Sequence, residues 1–169
     1  MIILLSLTVT VKAQAMDGYE TAGDIFSVAL PVAAAGYALS IDDHSGLLQF
    51  AASEALTFGA TYGLKYIINE KRPNGGDHSF PSGHTAVSFA SAEFVRERYG
   101  WNYGIPAYVI ATFVGISRIE SDNHFTHDVL AGAAIGIGSS MLFTTPYKGW
   151  NLKPHVASNY YGVSLHGSW

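Results

Sequence analysis

Three stretches of this chain carry no charge at all: residues 25–41, 99–117 and 129–147, which are 17, 19 and 19 residues long. Each is far longer than a strand, which usually runs five or six residues. Each is rich in Ala, Gly and Leu, and that composition at that length favours helices. Two further apolar stretches fit the same pattern. Residues 46–69 carry only Glu54 and Lys65, while residues 83–98 begin small and apolar and turn charged at Glu93, Arg96, Glu97 and Arg98. The chain therefore reads as all-α, a bundle of about five helices, six if the apolar N-terminal run is kept. Residues 149–169 break the pattern. Leu152, Pro154 and Val156, then Tyr161, Val163 and Leu165, alternate around a Ser158-Asn159 turn signal, which predicts a short C-terminal β-hairpin.

Composition narrows the function. With 169 residues there is room for one domain. Apolar residues make up 49% and charged residues 13%, which excludes a disordered chain. A net charge of −4 gives no basic excess, so no nucleic-acid partner is expected. The absence of cysteine excludes disulfides, thiol catalysis and thiolate zinc sites. Eighteen glycines with few charges point to closely packed helices in or near a membrane. Residues 2–11 are apolar but too short to span a bilayer in the usual way. The Ala13-Gln14-Ala15 sequence that follows predicts a signal peptide over 1–15 and an exported protein. The expected organisation is a leader at 1–15, a helical domain at 16–148 and a hairpin extension at 149–169.

Three short segments carry the chemistry. In the first, Lys65 and Arg72 are seven residues apart, almost two helical turns, which puts both on one face of a helix that Pro73 ends. The second, Pro81-Ser82-Gly83-His84, opens the next helix, with Ser82 as N-cap and free amides at Gly83 and His84. In the third, Arg118 closes one apolar helix, while His124 opens another and shares a face with Asp128 four residues on. An imidazole held by a carboxylate through one nitrogen keeps the other basic and aimed, as a nucleophile requires. A metal on His124, His127 and Asp128 is the competing reading, but no remote histidine or carboxylate set has ligand spacing. Neither metal nor cofactor is expected.

Topology joins the segments. The first closes a helix and the second opens the next, so both lie at one end of the bundle. Helix 83–98 leads away and run 99–117 leads back, which returns the third segment to the same end. Three of the nine Lys and Arg residues gather there in an acidic protein. Such a cluster suits an anion, phosphate above all.

Taken together, Lys65-x6-Arg72-Pro73, Pro81-Ser82-Gly83-His84 and Ser117-Arg118-x5-His124-x3-Asp128 resemble the three-part signature of the type 2 phosphatidic acid phosphatase superfamily. The resemblance implies metal-free hydrolysis of a phosphomonoester or diphosphate. It implies that His124 attacks phosphorus to form a phosphohistidine, that Asp128 orients His124, and that His84 protonates the leaving oxygen and then activates water. Lys65, Arg72, Ser82, Gly83 and Arg118 would bind the phosphoryl oxygens. Only seven residues separate Pro73 from Pro81, which leaves little loop for a specialised lid.

Within that family three readings stand. Charge-free runs near spanning length favour a lipid phosphate or isoprenyl diphosphate phosphatase, associated with the inner membrane and facing the periplasm. The Ala13-Gln14-Ala15 site, a mean hydropathy of only +0.19 and the charged end of helix 83–98 favour a soluble periplasmic phosphatase on small phosphomonoesters. A vanadate-dependent haloperoxidase is the third, in a chain with little space for a halide pocket. Of the remaining histidines, His44, His155 and His166 read as surface residues and His78 as a loop histidine. His127 is expected to point away from the face shared by His124 and Asp128.

Overall fold

The elements follow from the apolar runs. The computed structural model describes the backbone of residues 2–147, 149–157 and 160–168, and the side chains of residues 18–147, 162 and 163. Five helices come first: α1 (Ile2–Ser40), α2 (His44–Ile68), α3 (Gly83–Tyr99), α4 (Trp101–Glu120) and α5 (Thr126–Phe143). Two antiparallel strands follow, β1 (Gly149–Ala157) and β2 (Tyr160–Ser168). The N-terminal apolar run and the 25–41 run are one continuous helix, so the bundle has five helices rather than six. In the hairpin Leu152, Pro154 and Val156 pair with Leu165, Val163 and Tyr161, the alternating sets seen in the sequence. The Ser158-Asn159 turn itself lies outside the described residues.

Helix ends differ from expectation in three places. The α2 helix stops at Ile68, not at Arg72, because Asn69 takes a left-handed conformation (φ 48°, ψ 44°) and its N–H caps the Lys65 carbonyl. Asparagine tolerates that conformation better than most residues, so it ends the helix before Pro73 acts. The α5 helix starts at Thr126, which leaves His124 in the loop ahead of it. It ends at Phe143, and Tyr147 beyond it donates its N–H to the Arg98 carbonyl.

The α3 helix is central and packs on all four other helices. Its buried residues are mostly small, among them Thr85, Ala86, Ser88, Ala90, Ser91 and Ala92. Close approach to α5 depends on Gly132 and Gly136, where an added Cβ would meet the Ser82 carbonyl oxygen at 2.5 Å and that of Ala86 at 2.1 Å. Large apolar side chains lie mainly outside. Leu48, Ile67 and Leu142 are 73%, 80% and 74% exposed.

The charged end of α3 turns inward. Arg98 is buried and donates to both carboxylate oxygens of Asp43 at 2.8 and 2.5 Å, and to the Thr145 and Pro146 carbonyls. Glu93, also buried, accepts from Arg96 and from the Tyr108 hydroxyl. These charges are satisfied within the bundle, so they do not count against an apolar surround as the sequence suggested.

Candidate active site

The end of the bundle opposite Arg98 gathers the three chemical segments. Lys65 lies in the last turn of α2, His84 in the first turn of α3, and Arg118 in the last turn of α4. His124 lies in the α4–α5 loop and Asp128 in the first turn of α5. A pocket of about 430 Å³ opens there, and Lys65, Arg72, Gly83, His84 and His124 line it. Ser82, Arg118 and Asp128 are buried behind that wall.

His124 and Asp128 form the innermost pair. His124 Nδ1 is 3.3 Å from Asp128 Oδ2. That same oxygen accepts the Ser79 hydroxyl at 2.5 Å and the Phe125 N–H at 2.9 Å. Three donors thus fix one carboxylate oxygen, and a proton shared at Nδ1 leaves the lone pair on Nε2. Burial, helped by the nearby Lys65 and Arg72 charges, lowers the His124 pKa to about 4 against the opposing pull of Asp128. These surroundings favour the neutral imidazole.

The cations come from the α2–α3 side. Lys65 Nζ donates to the His78 and Ser79 carbonyls at 2.8 and 3.1 Å, which leaves one ammonium proton for a ligand. Burial, then Arg72, lowers its pKa to about 8. Arg72 is not on the α2 face that its spacing suggested. It extends from the loop, where its Nε donates to the Asp77 carbonyl at 3.1 Å and its terminal nitrogens remain for an anion. Ser82 occupies the N-cap position of α3 without capping through its side chain. Its Oγ pairs with Thr85 Oγ1 at 2.9 Å, and its N–H donates to the Asp128 carbonyl.

His84 lines the pocket across from these groups. Burial, then the Arg118 charge, lowers its pKa. Arg118 is only 2% exposed and is engaged by α1. Its Nη1 donates to Asp24 Oδ1 at 2.6 Å and its Nη2 to the Glu20 carbonyl at 2.7 Å.

Sequence reasoning missed four participants. Ser79 braces Asp128 from a loop that has no periodicity to read. Asp24 is the last charge before the 25–41 run, a visible position whose partners His84 and Arg118 are 60 and 94 residues away. His78 is more than a loop residue, since it lines the pocket and its Nδ1 is 3.1 Å from the Lys65 carbonyl. Glu70 sits 3.0 Å from His127 Nε2, which also lies 3.2 Å from Asp128 Oδ1. His127 is not among the residues that line the pocket, yet it reaches Asp128, contrary to the expected separation of their faces, and the ligand atoms of Glu70, His127 and Asp128 lie within 4.8 Å of one another.

A neutral, carboxylate-held imidazole facing two cations and a second histidine is suited to phosphoryl transfer. The family model of the PAP2 superfamily matches residues 46–151, more than half of the chain and all of the site residues that the sequence pointed to. The chain belongs to the PAP2 superfamily. Among curated relatives, a lipid A 4'-phosphatase of Helicobacter pylori is 32% identical over 162 residues, covering 88% of this chain and 81% of the relative. A lipid A 1-phosphatase of Porphyromonas gingivalis is 43% identical over 96 residues, covering 54% of this chain but 21% of its own longer sequence. Among solved structures, LpxE of Aquifex aeolicus superposes with a TM-score of 0.59 at 23% identity, over 77% of this chain and 92% of that one, a likeness of fold. The protein is a phosphatase of the phosphoric monoester hydrolase class.

Proposed function

We propose that this PAP2 phosphatase removes a terminal phosphate from a lipid phosphate of the cell envelope, with a lipid A headgroup as the favoured substrate, through a phosphohistidine on His124. The observation that carries the mechanism is the His124–Asp128 pair at 3.3 Å, on the wall of a pocket that Lys65, Arg72 and His84 also line.

The steps follow from those positions. The substrate phosphoryl group binds Lys65, Arg72 and the Gly83 amide, with Arg118 and the α3 N-terminus adding positive potential from behind. His124 Nε2 attacks phosphorus, and the N–P bond forms as the bond to the leaving oxygen breaks. His84 gives its proton to that oxygen. Asp128 stabilises the positive charge that develops on His124. Water then attacks the phosphohistidine, His84 takes a proton from it, the N–P bond breaks and inorganic phosphate leaves.

The lipid reading draws on three further observations. The relatives are lipid A phosphatases by name. The pocket's outer wall is Val28, Phe58, Tyr62, Tyr66 and Val87, apolar and aromatic side chains that suit an acyl chain next to a phosphate. On α1, residues Gly18–Ser40 are long and apolar enough to cross a membrane.

Phosphate release in the presence of EDTA tests the reading, with wild type and His124→Ala each offered dispersed lipid A, a simpler lipid phosphate and a small phosphomonoester. Hydrolysis of the lipids well above the small ester, abolished in His124→Ala, is expected. Preference for the small ester would replace it with the soluble acid-phosphatase reading. Loss of activity with EDTA, restored by a divalent ion, would instead point to a metal at Glu70, His127 and Asp128.

A further inference from the structure

The contact between α1 and the site is built from several independent pieces. Asp24 Oδ1 lies 2.6 Å from Arg118 Nη1 and 3.4 Å from His84 Nε2, so one oxygen touches both groups. One helical turn earlier, the Glu20 carbonyl accepts from Arg118 Nη2 at 2.7 Å. The Glu20 carboxylate accepts from Asn123 Nδ2 at 2.9 Å, next to His124 in sequence. Gly23 permits this approach. A Cβ there would meet Ser117 Oγ at 2.0 Å and Arg118 Nη2 at 2.3 Å.

We propose that Asp24 is a positioning residue of the phosphatase: one carboxylate oxygen on α1 holds the Arg118 guanidinium in place behind the pocket wall and orients the His84 ring toward the phosphoryl group that Lys65 and Arg72 bind. The inference rests on the roles given above to His84 and Arg118. Arg118 Nε is occupied by Ser117 Oγ at 3.1 Å, and its two terminal nitrogens face α1, so α1 sets its orientation. His84 is faced by Arg118 from α4, Lys65 from α2, Arg72 from the α2–α3 loop and Asp24 from α1. Three of those four are cations that disfavour the imidazolium, and Asp24 is the one group among them that favours it. The leaving-group acid needs that proton, and Asp24 is the group placed to keep it there. Misplacing a reacting group by about 1 Å can cost on the order of a hundredfold in rate, so a shared anchor for two such groups has a large effect.

The test is turnover of a detergent-dispersed lipid phosphate by the full chain, with kcat and KM followed from acid to alkaline pH. Wild type is compared with Asp24→Asn, Asp24→Glu, His84→Ala and His124→Ala. In Asp24→Asn, kcat is expected to fall by roughly tenfold to a hundredfold, with KM changed much less. Its alkaline limb is expected at lower pH, because a neutral amide no longer favours the His84 cation. Asp24→Glu restores the charge at a different reach, so the alkaline limb returns toward the wild-type pH while kcat recovers only in part. A wild-type kcat with an unmoved alkaline limb in Asp24→Asn would overturn the proposal. So would a lower KM with undiminished kcat, which would make Asp24 a competitor of phosphate. If Asp24→Asn does not fold, Asp24→Glu decides: full wild-type kcat there means that the position of the carboxylate is immaterial. His124→Ala separates the two levels. Turnover by that variant defeats the phosphohistidine reading, whereas an inert His124→Ala beside a normal Asp24→Asn defeats only the role of Asp24.

Discussion

His124 and His84 are asked for opposite protonation states, and their surroundings fix the pH at which both hold. His124 must be neutral to attack, and its pKa of about 4 means that this condition is met above that pH. His84 must be protonated to serve the leaving oxygen, and burial with the Arg118 charge puts its pKa below the ordinary histidine value. The expected kcat/KM profile therefore rises through about pH 4 and falls again before the pH at which an ordinary histidine titrates, an acid-side bell. A plateau that persists to pH 8 would show that His84 is not the acid. Asp128 is the residue whose charge the scheme needs most. Asp128→Asn keeps the size but loses the anion and the preferred tautomer, with an expected loss of about a thousandfold or more in kcat. Ser79→Ala, which removes one of three donors to Asp128, should cost about tenfold or less in the same assay. The candidate set was legible in the sequence where its spacing is local, as in the four residues from His124 to Asp128, whereas Arg72 reaches the pocket from a loop and not from the helical face that its spacing to Lys65 suggested. Ser79 and Asp24 were not legible, because their partners are brought to them only by the packed bundle.

At the scale of elements, the apolar runs located all five helices, and the loops followed from the need to return three segments to one end. Boundaries were less accessible. Asn69 ended α2 ahead of the proline that seemed to do so, and the short apolar N-terminal run continued into α1, since no proline lies between them. The α3–α5 contact was legible only as an abundance of glycine, and the structure shows which glycines matter. A Cβ on Gly136 would meet the Ala86 carbonyl oxygen at 2.1 Å and the Ala90 nitrogen at 2.7 Å, backbone atoms that cannot swing aside. Gly136→Ala is expected to cost about 2 kcal/mol by overpacking, read as a lowered Tm in detergent. Gly59 on α2 has nothing within 4 Å of an added Cβ, so Gly59→Ala should be neutral or stabilising by up to about 1 kcal/mol. Equal Tm values for the two variants would show that the α3–α5 approach is not a tight one.

On the scale of the molecule, polarity is distributed the reverse of a water-soluble bundle. Ser53, Thr57, Thr61, Ser88 and Ser91 are buried, as are the ion-paired Asp43 and Arg98. Aliphatic side chains such as Ile25, Val28 and Val32 on α1, Ile105 and Val109 on α4 and Leu130 on α5 are exposed along the bundle wall. Exposed aromatic rings stand nearer its ends, with Tyr19, Tyr62 and Tyr66 toward the site and Trp101 and Tyr103 toward the other end. Aromatic side chains favour the two membrane–water interfaces and aliphatic ones the layer between, so the proposed lipid substrate predicts that a bilayer covers this surface with the pocket at headgroup level. The sequence could show the apolar runs but not which of their faces packing would leave outside. Electrostatics offers no alternative hold, since a net charge of −4 is repelled by anionic lipids rather than drawn to them. That difference is measurable by washing membranes from expressing cells in 1 M salt. Salt at that concentration screens charge beyond about 3 Å and releases proteins held by surface charge, but it leaves apolar burial intact. The protein is expected to remain in the pellet and to enter solution only with detergent. Release by salt alone would assign the exposed apolar surface to a partner protein instead of the bilayer.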